Sequence, residues 1–283
     1  MTTHMTENSS APAWARAFDL TGRVAVITGG YGVLGGGIAD ALGAAGVRVA
    51  VLGRREAEGE AKVAALRAQG VEAMALVADA LDQPQLERAR DRLVSAWGAP
   101  DILINAAGGN VQRARTDGVS PFAMPMDAFD EVVRLNLHGT VGPTMAFGAA
   151  MADRGKGAII NVSSMAALSA ISGVLGYSVA KAAIDNFTRW MAVDLARKFG
   201  DGLRVNAIAP GFFVSTQNRG VLINPDGSYT ERSQAIIKRT PMGRFGNPDE
   251  LTGAVHWLCS DAASFVTGTV IPVDGGFSVY SGV

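Results

Sequence analysis

The feature that most constrains the fold is an alternation of short apolar runs with longer amphipathic stretches along the chain. Seven runs rich in Val, Ile, Leu and Ala have the length of strands. Alanine-rich stretches between them are long enough for crossover helices. Strands without apolar–polar alternation are typical of a parallel sheet covered on both faces. The pattern predicts an α/β fold, a doubly wound parallel sheet of seven strands in a single domain. The predicted strands are 23–28, 47–52, 71–77, 102–105, 158–162, 204–208 and 270–273, and predicted helices include 35–45, 56–69 and 83–97.

Composition narrows the classes of function. The 283 residues carry 25 Lys and Arg against 26 Asp and Glu, so no charge pattern for nucleic acid or an anionic membrane is present. The single cysteine, Cys259, and three scattered histidines predict no metal site. Residues 1–18 lack the basic start and apolar core of a secretory signal and are predicted to be a disordered tail before a domain spanning 19–283. We expect a cytoplasmic protein with a small-molecule partner.

Two segments interrupt the strand and helix alternation. Residues 109–126 and 212–244 are rich in Gly, Pro and polar side chains, and each follows the end of a predicted strand. In doubly wound folds ligands bind outside the carboxyl ends of the strands. We therefore expect these segments to form the walls of a substrate cavity.

A glycine-rich turn joins the first strand to the first crossover helix. Gly29, Gly32 and Gly35 let the backbone turn tightly, and the positive end of the helix attracts a pyrophosphate. An ordinary strand-to-helix turn is the alternative, and the position of this turn as the first one after a strand favours the nucleotide. Neighbouring candidates for cofactor contact are Tyr31, Val33 and Leu34.

The ends of the second and third strands bear on the choice of nucleotide. Where NAD sites place an acidic residue against the ribose 2′-hydroxyl, the chain has Arg54 and Arg55. Paired guanidinium hydrogen bonds suit a 2′-phosphate, which favours NADP over NAD, although solvated arginines remain the alternative. Asp79, followed by Ala80, either accepts a hydrogen bond from adenine or caps the next helix.

The strongest chemical signal lies between the fifth strand and the helix after it. Tyr177 and Lys181 are four residues apart and share a helix face, so the ammonium is expected to lower the pKa of the phenol. Tyr177 then acts as general acid in carbonyl reduction and as general base in alcohol oxidation. Ser164 ends the strand and is expected to donate to the substrate oxygen. Asn136 is a candidate to hold a water that links Lys181 to solvent.

These motifs together resemble the short-chain dehydrogenase/reductase family, over residues 19–283. The resemblance implies a Rossmann-like sheet, a nicotinamide cofactor, a homotetramer and the catalytic roles assigned above. It further implies that Lys181 and Tyr177 contact the cofactor, with Lys181 bonding the nicotinamide ribose. By the same resemblance, two backbone stretches border the cofactor, namely Asn105, Ala106, Ala107 and Gly108, and Pro210, Gly211, Phe213 and Ser215.

The chain departs from the usual family pattern in two places. Val33 stands where most members have glycine, so the glycine spacing is closer to that of the extended branch. Ser215 stands where threonine is usual and keeps the hydroxyl expected to reach the carboxamide.

The C-terminal third resembles the D-mannonate oxidoreductase (fructuronate reductase) branch, through stretches such as 210–214, 222–230 and 239–246. A sugar acid needs cations for its carboxylate and amides for its hydroxyls. Solvated loop side chains are the alternative for each single residue. Two function alternatives stay open: a reductase of another carbonyl class, such as a 3-oxoacyl or cyclic ketone, and a non-catalytic cofactor-binding regulator. The candidate substrate residues are Asn110, Gln112, Arg113, Ser164, Gln217, Asn218 and Arg219.

Overall fold

The computed structural model describes residues 12–215 and 218–282. All seven predicted strands form one parallel sheet in the order β3-β2-β1-β4-β5-β6-β7, which confirms the fold class. The sequence order reverses at β1, which pairs with both β2 and β4. The strands are β1 Val24–Thr28, β2 Arg48–Gly53, β3 Ala73–Val77, β4 Ile102–Asn105, β5 Gly157–Val162, β6 Leu203–Pro210 and β7 Val270–Val273.

Ten α-helices are described, and six of them cover the two faces of the sheet. One face packs on α2, α3 and α10 through side chains such as Leu42, Leu66 and Leu258. The other packs on α4, α6 and α7 through side chains such as Leu86 and Phe147. The helices are α1 Ala13–Arg16, α2 Val33–Ala44, α3 Glu56–Ala68, α4 Gln83–Trp97, α5 Met126–Val133, α6 Gly139–Arg154, α7 Leu175–Phe199, α8 Arg219–Leu222, α9 Glu231–Arg239 and α10 Thr252–Cys259.

The strands are buried because their β-branched and aliphatic side chains meet a helix on either side. Every residue of β1, β4, β5 and β6 is buried, as the missing apolar–polar alternation predicts. The edge strand β7 is only partly covered. All strands run parallel, so the loops that follow their carboxyl ends collect along one edge of the sheet.

The structure differs from the sequence expectation in two segments, residues 1–18 and residues 212–244. The predicted disordered tail contains α1, and the Ala17 and Phe18 carbonyls accept hydrogen bonds from Ala262 N–H and from the His256 ring. Residues 1–11 of that expected tail lie outside the described residues. The expected loop 212–244 contains α8 and α9, because the apolar spacing of Ile236 and its neighbours is helical.

Candidate active site

The glycine turn between β1 and α2 has the tight geometry expected of a phosphate cradle. Gly29 has φ +63°, a left-handed conformation that favours glycine. A Cβ on Gly35 would collide with the Gly29 carbonyl oxygen, so α2 approaches the turn closely. Gly32 is the N-cap of α2 and supplies no side chain to the first amides of the helix. Uncapped amides and space without Cβ atoms fit a pyrophosphate at this turn.

The departure at Val33 is accommodated in this turn. Val33 is the first residue of α2, a position that any L-residue adopts without strain. Leu34 is partly buried and packs against the hydrophobic core. The backbone of the turn therefore keeps its shape with valine in place of the usual glycine.

The loop after β4 is fastened to the glycine turn and to the helix behind it. Thr28 Oγ1 accepts hydrogen bonds from Ala106 N–H and Ala107 N–H at 3.0 Å each. The Asn105 side chain is buried and donates to Thr144 and Asn161. The backbone of Ala106 and Ala107 is thus held by Thr28, whereas the side chain of Asn105 ties β4 to β5 and α6.

Asn136 lies in a π-helical segment, Arg134–His138, between α5 and α6. Its side-chain amide donates to the Gly109 carbonyl at 2.7 Å and to the Val132 carbonyl at 2.9 Å, and its oxygen accepts from Gly109 N–H at 3.1 Å. A π-bulge widens one turn of helix and commonly marks a functional position. Within the described residues, Asn136 is therefore seen to hold the loop after β4 in place.

Lys181 and Asn136 approach each other across Gly108. A Cβ on Gly108 would lie 2.6 Å from the Asn136 side-chain oxygen and 3.6 Å from Lys181 Nζ. Gly108 also has φ +158°. The sequence thus brings these two predicted residues to one point, and only a residue without Cβ leaves room there.

Tyr177, Ser164 and Lys181 meet where β5 ends and α7 begins. Lys181 is buried, and its Nζ donates to the Val162 carbonyl at 2.7 Å. The same nitrogen is 5.4 Å from the centre of the Tyr177 ring. Ser164 lies within hydrogen-bonding reach of the Tyr177 phenol. The three predicted catalytic groups therefore share one site at the carboxyl edge of the sheet.

The pKa values of this group are set first by burial. Burial lowers the pKa of Lys181 to about 8, and the Asp185 carboxylate opposes that shift. Burial raises the pKa of Tyr177, and the hydrogen bond with Ser164 opposes it. The expected lowering of the phenol pKa by Lys181 is thus wrong for the free protein, because loss of hydration outweighs an ammonium that lies beside the ring.

Asp185 is a buried carboxylate that the sequence analysis missed. It follows Lys181 by one helical turn and accepts a short hydrogen bond from Ser163 Oγ. Its pKa is raised by burial, and Ser163, Arg189 and Lys181 oppose the rise. The signal was available in the sequence, since an acid four residues after a lysine shares its helix face.

The arginines after β2 lie beside the glycine turn. Arg54 Nη1 is 3.8 Å from the Asp79 carboxylate, and Arg55 pairs with Glu58 at 2.9 Å. Asp79 accepts from Leu81 N–H within its own turn, and Asp82 is the residue that caps α4. The cap alternative for Asp79 is therefore wrong, and Ala80 follows it in the same partly buried turn.

The loop after β6 is held by its own side chains. Asn218 accepts from Ser215 N–H at 2.7 Å and donates to the Phe213 carbonyl at 2.8 Å. The Phe213 ring is buried and lies against Gly246. Gly211 closely approaches Asp274 after β7. With Pro210 ending β6, this loop fits a backbone contact surface for the cofactor, and Asn218 is seen to shape it.

The predicted substrate-binding residues differ in whether their side chains already contact other residues of the protein. Asn110 accepts from the backbone of Val111, and Arg113 forms an exposed ion pair with Asp127. Arg219, at the start of α8, is exposed and forms no ion pair within the described residues. Gln217 lies outside the described residues. The structure therefore leaves Arg219 as the cation of this set with an open guanidinium.

Three charged residues join the two predicted cavity walls. Asp117 pairs with Arg115 at 2.7 Å and with Arg232 of α9 at 3.0 Å. Arg232 also donates to the Ser172 carbonyl at 3.2 Å, just before α7. We call Arg115, Asp117 and Arg232 the arginine clasp. The sequence did not predict the clasp, because Asp117 and Arg232 lie 115 residues apart in the chain.

Two negative features characterise the described part of the chain. No group of three or more His, Cys, Asp or Glu side chains is arranged to hold a metal ion there. Among those same residues, none of the helices has the length and apolar character needed to cross a membrane.

Comparison with known proteins places this site in a recognised context. The family model described as enoyl-(acyl carrier protein) reductase matches residues 32–278. An uncharacterized oxidoreductase of Bacillus subtilis, UxuB, is 47% identical over 275 residues, which cover 94% of this chain and 98% of that relative. The family model begins inside the glycine turn and extends over the Ser164 to Lys181 region and the loop after β6.

Solved structures agree with the sequence comparison. A Haemophilus influenzae protein provisionally described as a D-mannonate oxidoreductase, with bound NAD, superposes with a TM-score of 0.88 and 37% identity over 95% of this chain and all of that one. A gluconate 5-dehydrogenase from Burkholderia cenocepacia, in complex with NADP and tartrate, gives a TM-score of 0.82 and 34% identity over 93% and 97% of the two chains. The neighbours therefore include proteins that bind either nicotinamide cofactor.

Proposed function

The chain belongs to the short-chain dehydrogenase/reductase family, and from that premise we propose that it interconverts the hydroxyl and keto groups of a sugar acid. The family's members act on CH–OH groups with NAD or NADP. The finer assignment, to a substrate of the D-mannonate and D-fructuronate type, is our proposal. It draws support from the likeness to the D-mannonate oxidoreductase structure and to the gluconate 5-dehydrogenases.

The observation that carries the proposal is the meeting of Ser164, Tyr177, Lys181 and Asn136 at the carboxyl edge of the sheet. In carbonyl reduction, the Tyr177 phenol gives its proton to the substrate oxygen, and in alcohol oxidation the phenolate takes that proton up. Ser164 donates a hydrogen bond to the same oxygen as negative charge develops on it. The nicotinamide ring, when bound, accepts or supplies the hydride.

Lys181 and Asn136 prepare the site for that proton transfer. The Lys181 ammonium, held by the Val162 carbonyl, favours the phenolate form of Tyr177 once the proton leaves. Asn136 fixes Gly109 on the other side of Gly108. We infer that a water held near Asn136 exchanges the Lys181 proton with solvent, as the sequence suggested.

The glycine turn and the loops after β4 and β6 fit a dinucleotide. The Cβ-free space around Gly29 and Gly35 and the uncapped start of α2 suit its pyrophosphate. Arg54 and Arg55 support a preference for NADP(H), since paired guanidiniums match a 2′-phosphate. Lys181 and the loop from Pro210 to Ser215 are proposed to hold the nicotinamide end.

The walls of the cavity support a polar, anionic substrate. Arg219 offers an open guanidinium at the start of α8, next to Asn218, and Asn110 adds a polar side chain in the loop after β4. We infer that Arg219 binds the carboxylate of the sugar acid. Arg113 contributes only where the substrate displaces Asp127 from it.

A symmetric oligomer, a tetramer by family resemblance, is also proposed. Helix α7 leaves Trp190 and Val193 exposed on the side away from the sheet, and Phe265 and Val279 are exposed near the C-terminus. Apolar area of this kind commonly lies between subunits. Light scattering coupled to size-exclusion chromatography tests it, with four times the chain mass expected and a monomer contradicting the proposal.

Substrate and cofactor are tested directly by assaying the purified protein with a panel of substrates and with both nicotinamide cofactors. The absorbance of reduced nicotinamide is followed with D-fructuronate and NADH or NADPH, and with D-mannonate and NAD or NADP. Parallel arms contain a 3-oxoacyl thioester, a cyclic ketone and D-gluconate. We expect the highest kcat/KM with D-fructuronate or D-mannonate. Faster turnover of the thioester or cyclic ketone would overturn the sugar-acid assignment and leave the family chemistry intact.

A further inference from the structure

The space beside the end of β2 is filled by the side chain of Tyr31. Gly53 is the last residue of β2, where a site selective for NAD carries a carboxylate for the ribose 2′-hydroxyl. A Cβ built on Gly53 would lie 2.5 Å from two carbon atoms of the Tyr31 ring and closer still to its hydroxyl. No side chain at position 53 fits while Tyr31 stays where it is. The tyrosine fills the place of the missing carboxylate.

Tyr31 is held in that place from the other side. Arg55 N–H donates to the phenol oxygen at 3.1 Å, and the Arg55 guanidinium lies 5.0 Å from the centre of the ring. Guanidinium stacking on an aromatic face adds attraction where the pair is only partly hydrated. The ring therefore bridges the glycine turn, where its backbone lies, and the end of β2.

The side chains that follow β2 are positively charged, whereas an NAD-selecting site carries a negative carboxylate there. A phenol carries no charge at neutral pH, whereas an aspartate would repel a 2′-phosphate. Arg54 and Arg55 flank the phenol, and their side chains are 67% and 63% exposed. Among the described residues, Arg54 makes one long contact, with Asp79 at 3.8 Å, and Arg55 pairs with Glu58 at 2.9 Å. The donors of Arg54 are therefore the more available ones. Two guanidiniums and one hydroxyl form a donor-rich site for a phosphate.

We propose that Tyr31 is a specificity-determining residue for the cofactor. It closes position 53 to a carboxylate and presents its hydroxyl, beside Arg54 and Arg55, to the adenosine 2′-phosphate of NADP. The inference rests on the proposed preference for NADP(H). It adds that the preference depends on Tyr31 and Gly53 as a pair, because an acid at position 53 selects NAD only after the ring is removed.

The test measures dissociation constants of NADPH and NADH by isothermal titration calorimetry, which needs no turnover. The chains compared are the wild type, Gly53→Asp, Tyr31→Ala, and the double variant of both. The wild type is expected to bind NADPH about tenfold or more tightly than NADH. Gly53→Asp alone is expected to weaken both cofactors, since the new side chain and the ring compete for one space. The double variant is expected to bind NADH better than NADPH.

Two matched variants test whether the ring itself occupies the space at position 53. Tyr31→Phe with Gly53→Asp keeps the ring, so it is expected to bind both cofactors as poorly as Gly53→Asp alone. Gly53→Ala adds a Cβ without charge and is expected to weaken both cofactors, with recovery when Tyr31→Ala is added. Circular dichroism melting of each chain confirms that it is folded before titration.

The outcomes separate the proposed role of Tyr31 from the proposed preference for NADP(H). If Gly53→Asp alone reverses the preference to NADH while Tyr31 is present, the ring does not guard position 53 and the inference is overturned. If the wild type prefers NADH, the NADP(H) proposal fails, and the 2′-phosphate role of Tyr31 fails with it. A reversal seen only in the double variant, from a wild type that prefers NADPH, supports both.

Discussion

The catalytic floor and the substrate wall of this cleft are held in different ways. On the floor, formed by Ser164, Tyr177, Lys181 and Asn136, the polar side chains are bonded to strand ends and to the backbone of neighbouring loops. On the wall, formed by 212–244 and the loop after β4, charged side chains pair mainly with one another and remain partly exposed. We therefore expect the scaffold to fix the proposed reaction chemistry, and substrate choice to depend on side chains that can change without disturbing the sheet.

Removing the Ser164 hydroxyl from the floor should produce a larger effect than any change in the wall. Ser164→Ala is expected to lower kcat by about 10²-fold, because the developing oxyanion loses a donor. Ser164 also accepts from Ala166 N–H, so a small decrease in Tm is expected as well. The control is Ser172→Ala, which removes an exposed hydroxyl and keeps the carbonyl that Arg232 uses. Equal kcat values for the two variants would contradict the role of Ser164.

Burial of the floor should also appear in the pH dependence of stability. The pKa of Lys181 is about 8 in the folded chain and 10.5 for an unperturbed lysine, so the unfolded chain binds more protons between these values. Stability from this residue therefore rises as pH increases through that window. Urea unfolding at pH 7.5 and 9.5 should show the wild type gaining about 2 kcal/mol relative to Lys181→Met.

The exposed lysine of α9 provides the control for that titration. Lys238→Met makes the same substitution at a side chain that is exposed to water. A flat difference between wild type and Lys181→Met over the same range would mean that Lys181 keeps its hydration when folded.

The sequence was informative about the floor because its spacing rules are local. Tyr177 and Lys181 share a helix face by their separation alone, and the alternation of elements placed Ser164 at a strand end. The direction of the Tyr177 pKa was predicted wrongly, because burial depends on segments distant in sequence. Tyr177 packs against a small apolar cluster formed by Ala114, Ala128 and Val132.

The wall was less predictable because its contacts join distant segments. The clasp connects Asp117 to Arg232, and no local pattern links the two positions. Arg113 was predicted to bind substrate from its charge and place, but its pairing with Asp127 depends on where α5 begins. Tyr31 was predicted to contact the cofactor, yet its packing on Gly53 required the structure.

Arg219 and Arg113 provide a comparison within the wall. Arg219→Gln is expected to raise KM for the sugar acid about tenfold with little change in kcat, because a charge-assisted hydrogen bond is lost. Arg113→Gln is expected to change KM less than about twofold, since this arginine already pairs with Asp127 in solvent. Steady-state kinetics of both variants give these KM values. A larger rise in KM for Arg113→Gln than for Arg219→Gln would place the carboxylate site at Arg113.

The arginine clasp should give the smallest effect. Arg232→Gln is expected to raise KM about threefold while the dissociation constant of the cofactor stays constant, because partly exposed ion pairs contribute little individually. Lys238→Gln on the same helix is the control and should leave KM unchanged. A larger loss in kcat than in affinity would show that the clasp acts on the floor and not only on the wall.

The most direct test of the account follows one turnover of hydride transfer in the wild type and in Tyr177→Phe, with cofactor binding measured in parallel. Both chains are expected to bind the nicotinamide cofactor with similar affinity, and the substitution is expected to slow hydride transfer by about 10²–10⁴-fold. Hydride transfer at the wild-type rate in Tyr177→Phe would contradict the assignment of Tyr177 as the proton donor and acceptor.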